Sequence, residues 1–267
     1  MSDPHVAARL RAAGCVWAED EAALLEQAAS SAEDLERLVA RRVAGEPLET
    51  VLGWVEFLGR RLVVAPGVFV PRRRTELLAR LTVDRAGRAP GRPVVVEMCC
   101  GVAPVAAALE TALDAAGADV HACDVSATAL DCARSNSPSA TLHLGDLYDA
   151  LPARLAGRVA VLAANAPYVP SDRVADMPPE ARDHEPRVAL DGGADGVELH
   201  RRLAADAVRW LAPGGVLLVE TSREQAGLTT GAMATAGLVT AVETDDDVGG
   251  CVAVGVRPDG STDGVSR

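Results

Sequence analysis

The sequence predicts an α/β fold: a mostly parallel sheet with helices between its strands, preceded by a small helical unit and a linking β-hairpin. Three observations predict it. Between residues 94 and 220, apolar runs of strand length alternate with stretches rich in helix formers, the pattern of consecutive βαβ units. The first four runs each end at a polar residue, namely Glu97, Asp124, Asp146 and Asn165. In an open α/β sheet, ligands bind outside the carboxyl ends of the strands, so four polar ends along one edge are far more specific than any one of them. Residues 4–44, by contrast, are dominated by helix formers.

Residues 1–50 read as a helical domain. Val6–Arg11 and Glu21–Leu25 are helix-rich, and Ser31 is placed to cap a further helix with Glu33 and Asp34 in its first turn. Leu35, Leu38, Val39 and Val43 form a stripe at helical spacing that faces a core, and Gly45 with Pro47 ends the helix. Residues 51–75 read as a linker built on a hairpin, with strands over 51–58 and 61–64 and the turn at Gly59-Arg60. Pro66-Gly67 turns the chain and Val68–Val70 is extended up to Pro71. Arg72-Arg73-Arg74 then opens a helix through Leu81. The arginine run reads first as a solvated face, with a clamp for an anionic group as the alternative. Residues 84–93 read as a polar surface linker.

The sheet-forming part covers residues 76–257. Val94–Met98 is a short buried strand leading through Cys99-Cys100-Gly101-Val102-Ala103 into a helix, a turn that lets a ligand approach backbone N–H groups. It is poor in glycine, having one where two or three are usual. Asp119–Asp124 is the next strand, and an acid at its end suits the ribose hydroxyls of a nucleoside cofactor or the cap of the following helix. Ala140–Leu144 runs to Gly145-Asp146-Leu147. Val159–Ala164 runs into Asn165-Ala166-Pro167-Tyr168, where two prolines, 167 and 170, forbid further ladder bonds. An amide and an aromatic ring fixed in a rigid turn suit the holding of a planar amide or amino group. The polar connection 171–196 has the length of a functional loop and is placed to act as a lid beside Asn165. A helix over 199–211, a strand over 216–220, and an antiparallel pair over 238–242 and 251–256 complete the sheet. Residues 258–267 read as a disordered tail.

Composition narrows the function. A net charge of −12 disfavours a nucleic-acid partner, whose phosphates an acidic surface repels. The six cysteines (15, 99, 100, 123, 132 and 251) have no metal-ligand spacing, so no metal is expected and reduced thiols in the cytoplasm are. No apolar segment reaches the roughly 18 residues of a membrane span, and no apolar targeting segment opens the chain.

These pieces resemble the HemK/PrmC-type protein-(glutamine) methyltransferases, which use S-adenosylmethionine (SAM). The resemblance runs over nearly the whole chain: Arg42–Gly53, Glu56-Phe57, Pro66–Arg72, Thr75-Glu76, the motif at 165–168, His184–Leu190 and Leu211–Gly215. It implies a Rossmann-like, seven-stranded methyltransferase sheet with an antiparallel final strand. It implies SAM held by Glu97, Cys99, Cys100, Gly101, Val102, Ala103, Asp124, Asp146, Leu147 and Asn165. It further implies catalysis and substrate binding at Asn165, Ala166, Pro167 and Tyr168, the helical domain as substrate reader, and as substrate an exposed glutamine of a peptide-chain release factor. Two departures stand out. The family's loop has glycine where this chain has Cys99 and Ala103, and Pro104 follows without an N–H, so side chains at 99 and 103 are expected to crowd the methionine part of SAM. Ala166 replaces a proline, which keeps the carbonyl but frees φ. The alternatives are an amino methyltransferase acting on a nucleic-acid base or a small molecule, and a SAM-binding or interaction module without catalysis.

Overall fold

Helices α1 (Pro4–Ala12), α2 (Ala18–Ala28), α3 (Ala32–Val43) and α4 (Leu48–Leu52) come first in this computed structural model, which describes residues 4–113 and 117–259. They enclose Val6, Leu10, Ala22, Leu25, Leu38 and Val39. Ser31 caps α3 as its sequence indicates, accepting from the Asp34 N–H at 3.1 Å. Val43 does not join the stripe and is 40% exposed. The inward position one residue earlier is taken by Arg42, whose guanidinium meets the buried Glu21 at 2.6 Å.

The hairpin is shorter than expected, with β1 at Trp54–Phe57 and β2 at Arg60–Val63. Residues 51 and 52 instead complete α4, which is closed by Gly53 at φ +79°. The turn lies at Leu58 (φ +48°) and Gly59 (φ +74°), one residue before the expected pair. Both φ values are positive, as a tight two-residue hairpin turn requires. Helix α5 spans Thr75–Arg88, so Arg72–Arg74 stand in the turn before it and the linker shrinks to residues 89–93.

The remaining elements are β3 (Val94–Met98), α6 (Pro104–Leu113), β4 (Asp119–Asp124), α7 (Ala127–Asn136), β5 (Thr141–Leu144), β6 (Val159–Ala164), α8 (Pro179–His184), α9 (Glu198–Trp210), β7 (Leu211–Glu220), α10 (Ala226–Thr235), β8 (Val239–Asp245) and β9 (Gly250–Val256). Seven strands form one sheet in the order β5-β4-β3-β6-β7-β9-β8, parallel except for β9, which runs antiparallel to both of its neighbours. The fold class expected from sequence is therefore present. The chain starts the sheet at β3, builds outward through β4 and β5, then returns to the other side of β3 with β6. The crevice at that reversal opens at the carboxyl ends of β3 and β6.

Strand β7 begins at Leu211, earlier than the expected 216, because a register shift between Val159 and Val161 of β6 absorbs Pro213–Gly215. Helix α10 was not anticipated; its two glycines and three threonines within Ala226–Thr235 are weak helix formers, and the helix forms by packing on α9 and the β8–β9 pair. The connection 171–196 contains α8 and two short 3-10 turns. Its far end is pinned to the motif strand, since Val169 N–H donates to Leu190 O at 3.0 Å and Gly192 N–H to Val169 O at 2.8 Å. A side chain at Gly192 would strike Pro167 O and Tyr168 Cα, both 2.7 Å from a Cβ there. Among the described residues no helix is long and apolar enough to cross a membrane, and no group of three or more acids, histidines and cysteines could hold a metal ion. Residues 260–267, most of the expected tail, lie outside the described residues.

Candidate active site

Glu97 leaves β3 fully buried and turns toward α6. Its two carboxylate oxygens accept the Val105 N–H at 3.1 Å and the Ala106 N–H at 2.7 Å. It thus caps the helix from outside, a favourable place for an acid. Burial nevertheless dominates and pushes its pKa up to about 8 against those two bonds. Pro104 is the first residue of α6, where a missing N–H costs nothing.

Between them the loop doubles back through left-handed backbone at Cys99 (φ +51°), Gly101 (φ +52°) and Ala103 (φ +60°). The Cys100 N–H donates to Cys123 O at 3.0 Å and the Gly101 N–H to Asp124 Oδ2 at 2.8 Å. Asp124 Oδ1 accepts from the Ser126 N–H at 2.8 Å, and Ser126 is the residue that caps α7. Asp124 therefore ties two loops together at the sheet edge, and burial raises its pKa. On the far side of the crevice Asp146 pairs with Arg202 of α9 at 2.7 Å.

The fourth strand end is the most crowded. Ala163 and Ala164 are fully buried, so the chain emerges at Asn165 with its side chain already inside the crevice. Asn165 Nδ2 donates to Thr75 Oγ1 at 3.2 Å. The Tyr168 hydroxyl donates to Glu220 Oε1 at 3.4 Å, and Arg74 Nε donates to the same oxygen at 3.1 Å. The Arg74 guanidinium lies 5.7 Å from the centre of the Tyr168 ring and the His200 ring 6.3 Å from it. Burial pushes the Tyr168 hydroxyl up to about 12 and His200 down to about 4, so both stay neutral at physiological pH. His200 Nδ1 meets Thr229 Oγ1 at 2.9 Å, and its ring faces the Ala166 backbone.

One cavity of about 410 Å³ gathers these groups. Glu97, Cys99, Cys100, Gly101, Val102, Asp124, Asp146, Leu147 and the whole Asn165–Tyr168 motif line it. Ala103 does not: its methyl is fully buried in the core beneath, so the expected crowding from position 103 is absent and only Cys99 reaches the cavity. A Cβ on Gly101 would meet nothing within 4 Å, which leaves an open approach to the loop backbone for a ligand such as SAM.

Sequence reasoning missed several wall residues. Arg72 and Arg74 are not a solvated face; they line the cavity, bound to Glu185 at 2.7 Å and Glu220 at 3.1 Å, while Arg73 is the exposed one. Glu220 ends β7 and continues the run of polar strand ends, a signal that was available. Arg202 carries no local signal.

No family model matches the chain. It is 41% identical over 194 residues to a release factor glutamine methyltransferase of Streptomyces coelicolor, covering 71% of this chain and 68% of that protein. It is 37% identical over 188 residues to a 4-amino-L-phenylalanine/4-methylamino-L-phenylalanine methyltransferase of Streptomyces pristinaespiralis, covering 68% of this chain and 63% of that protein. Among solved structures, a methyltransferase of Pyrococcus furiosus superposes with a TM-score of 0.55 at 15% identity, over 82% of this chain and 97% of the other, a likeness of fold.

Proposed function

The chain belongs to the release factor glutamine methyltransferase family, and from that premise we propose that it moves a methyl group from SAM to the side-chain amide nitrogen of a glutamine in a release factor. The observation that carries this reading is the tie between Asn165 Nδ2 and Thr75, which leaves Asn165 Oδ1 for a partner in the cavity.

SAM would be held by Asp124 at the ribose hydroxyls, by Asp146 and Leu147 at the adenine, and by the 99–102 loop at its amino-acid part; when bound it supplies an electrophilic methyl. Glu97 serves this site by fixing α6 and the loop. The chemical difficulty lies with the acceptor, because an amide nitrogen shares its lone pair with the carbonyl. Orientation lowers that barrier more than any base in reach could. Asn165 Oδ1 and the Ala166 carbonyl accept the two amide N–H bonds and fix the nitrogen. As positive charge grows on that nitrogen, both bonds strengthen, so the site binds the transition state better than the ground state. Tyr168 walls the amide plane. Residues 1–50 act as the substrate-reading domain, joined by the 51–75 linker to the methyltransferase domain of residues 76–257. All six cysteines are unpaired, which supports work in the reducing cytoplasm.

A second reading is methylation of an aromatic amine on a small amino acid. The Streptomyces pristinaespiralis relative favours it, and the same two acceptors would serve an aniline –NH2.

The test separates binding from transfer. Asn165→Ala is expected to lower methyl transfer to a release factor by at least about a hundredfold, in line with loss of a transition-state contact. Calorimetry should find SAM affinity within about threefold of wild type, while Asp124→Ala should lose it. Full turnover by Asn165→Ala would sink the assignment.

A further inference from the structure

We propose that Glu220, acting through Thr75, sets which end of the Asn165 amide faces the cavity, and so makes the site accept an –NH2 group and refuse a carboxylate. The consequence for substrate choice rests on the methyl-transfer reading; the hydrogen-bond chain stands without it.

Glu220 is fully buried, and three side chains of the site converge on it. Arg74 Nε and the Tyr168 hydroxyl both reach Oε1, at 3.1 and 3.4 Å. Oε2 is buried with no hydrogen bond of ordinary geometry. Thr75, also fully buried, lies beside the carboxylate and helps to hold its pKa down against burial. The Thr75 hydroxyl has one proton to give. It can give it to the Glu220 carboxylate and accept from Asn165 Nδ2, or give it to Asn165 Oδ1 and leave the carboxylate unserved. A hydrogen bond to a charged acceptor is the stronger, and an orphaned buried carboxylate oxygen is the costlier loss. The chain therefore runs Asn165 Nδ2–H to Thr75 to Glu220, the order seen at 3.2 Å in its first link. With Nδ2 engaged, Oδ1 is what the cavity meets. Two acceptors, Oδ1 and the Ala166 carbonyl, then welcome the –NH2 of a glutamine and repel the oxygens of a glutamate. A flipped Asn165 would present a donor and lose that selection, as sites built for one hydrogen-bond polarity reject the other. Glu220 and Thr75 are on this account positioning residues.

The chain has only two asparagines, 136 and 165, so 15N-asparagine labelling gives two side-chain NH2 signals. Asn136 is an internal reference for folding, since its Nδ2 donates to Val63 O at 3.0 Å and Val102 O at 2.9 Å. In the wild type we expect one Asn165 Nδ2 proton to exchange with solvent at least about tenfold more slowly than its twin. Thr75→Val should abolish that difference and Thr75→Ser should keep it. Should Thr75→Val disturb the Asn136 signals, Glu220→Gln replaces it, because three donors then crowd one carbonyl oxygen and the protection should fall. Unchanged Asn165 protection in the variant that keeps the Asn136 signals would overturn the proposal. A substrate readout follows: the preference for a release factor over a form with glutamate at the methylated glutamine should drop about tenfold or more in Thr75→Val and be restored in Thr75→Ser. An unchanged preference would equally overturn it. If the wild type transfers no methyl to a release factor, the methyl-transfer reading fails and the exchange experiment still decides the hydrogen-bond chain.

Discussion

Cys99 and Ala103 hold left-handed backbone without the freedom of glycine, at φ +51° and +60°. The cost for such a residue is roughly 1–2 kcal/mol, part of which a glycine returns as chain entropy. Cys99→Gly should therefore raise unfolding stability by up to about 1 kcal/mol in a urea titration, and it widens the cavity that Cys99 lines. Glu97 gives a second expectation. Its folded pKa of about 8 lies above the ordinary value of 4.5 because of burial. The folded chain keeps a proton that the unfolded chain has released, so this stability is full below about pH 4.5 and is lost as pH rises through about 8. Glu97→Gln should flatten the decline in thermal midpoint between those pH values; an unaltered slope would show that Glu97 is ionised throughout. The residues that make the strand ends, Glu97, Asp124, Asp146 and Asn165, were legible because each closes an apolar run. Thr75 and Arg74 were not legible as wall residues from pattern alone. They stand at a helix start some 90 residues from Asn165, and only the packing of α5 against β6 and β7 brings them in.

Elements were legible where periodicity and termini agreed. The six residues of β6 match the apolar run exposed by its flanking polar and proline residues, and Ser31 caps α3 as its sequence signature indicates. They were missed where tertiary packing overrides local preference. Helix α10 has little apolar periodicity of its own, and α4 takes in residues 51 and 52 that read as strand, because Gly53 ends a short helix that joins the α1–α3 core. Arg42 links that core to the 171–196 connection, meeting Glu21 at 2.6 Å and Glu180 of α8 at 2.6 Å. Its removal strands the buried Glu21, so Arg42→Ala should cost about 3 kcal/mol by urea unfolding. Glu180 is half exposed, and Glu180→Ala should cost less than about 1 kcal/mol. Equal losses in the two variants would mean that the bridge to α8, not the buried pair, holds the unit.

At the scale of the whole molecule, the order of strands puts four polar ends, those of β3 to β6 or the loops that follow them, around one crevice, with Glu220 of β7 buried beside it against Arg74 and Tyr168. The mostly parallel seven-stranded sheet with an antiparallel final strand was implied by the resemblance, and the strand order, with β9 inserted antiparallel before β8, is what the structure adds. The net charge of −12 favours a partner other than a nucleic acid. On the proposed reading, Asn165 Oδ1 and the Ala166 carbonyl accept an –NH2 group, which a protein glutamine or an aromatic amine could carry. One measurement separates them: the purified protein is given SAM together with equal concentrations of a release factor and 4-amino-L-phenylalanine, and both are read by fragment mass spectrometry. The account predicts one added methyl on a single glutamine side chain of the release factor, absent with Asn165→Ala. Methyl found on the amine alone, with the release factor untouched, would contradict it.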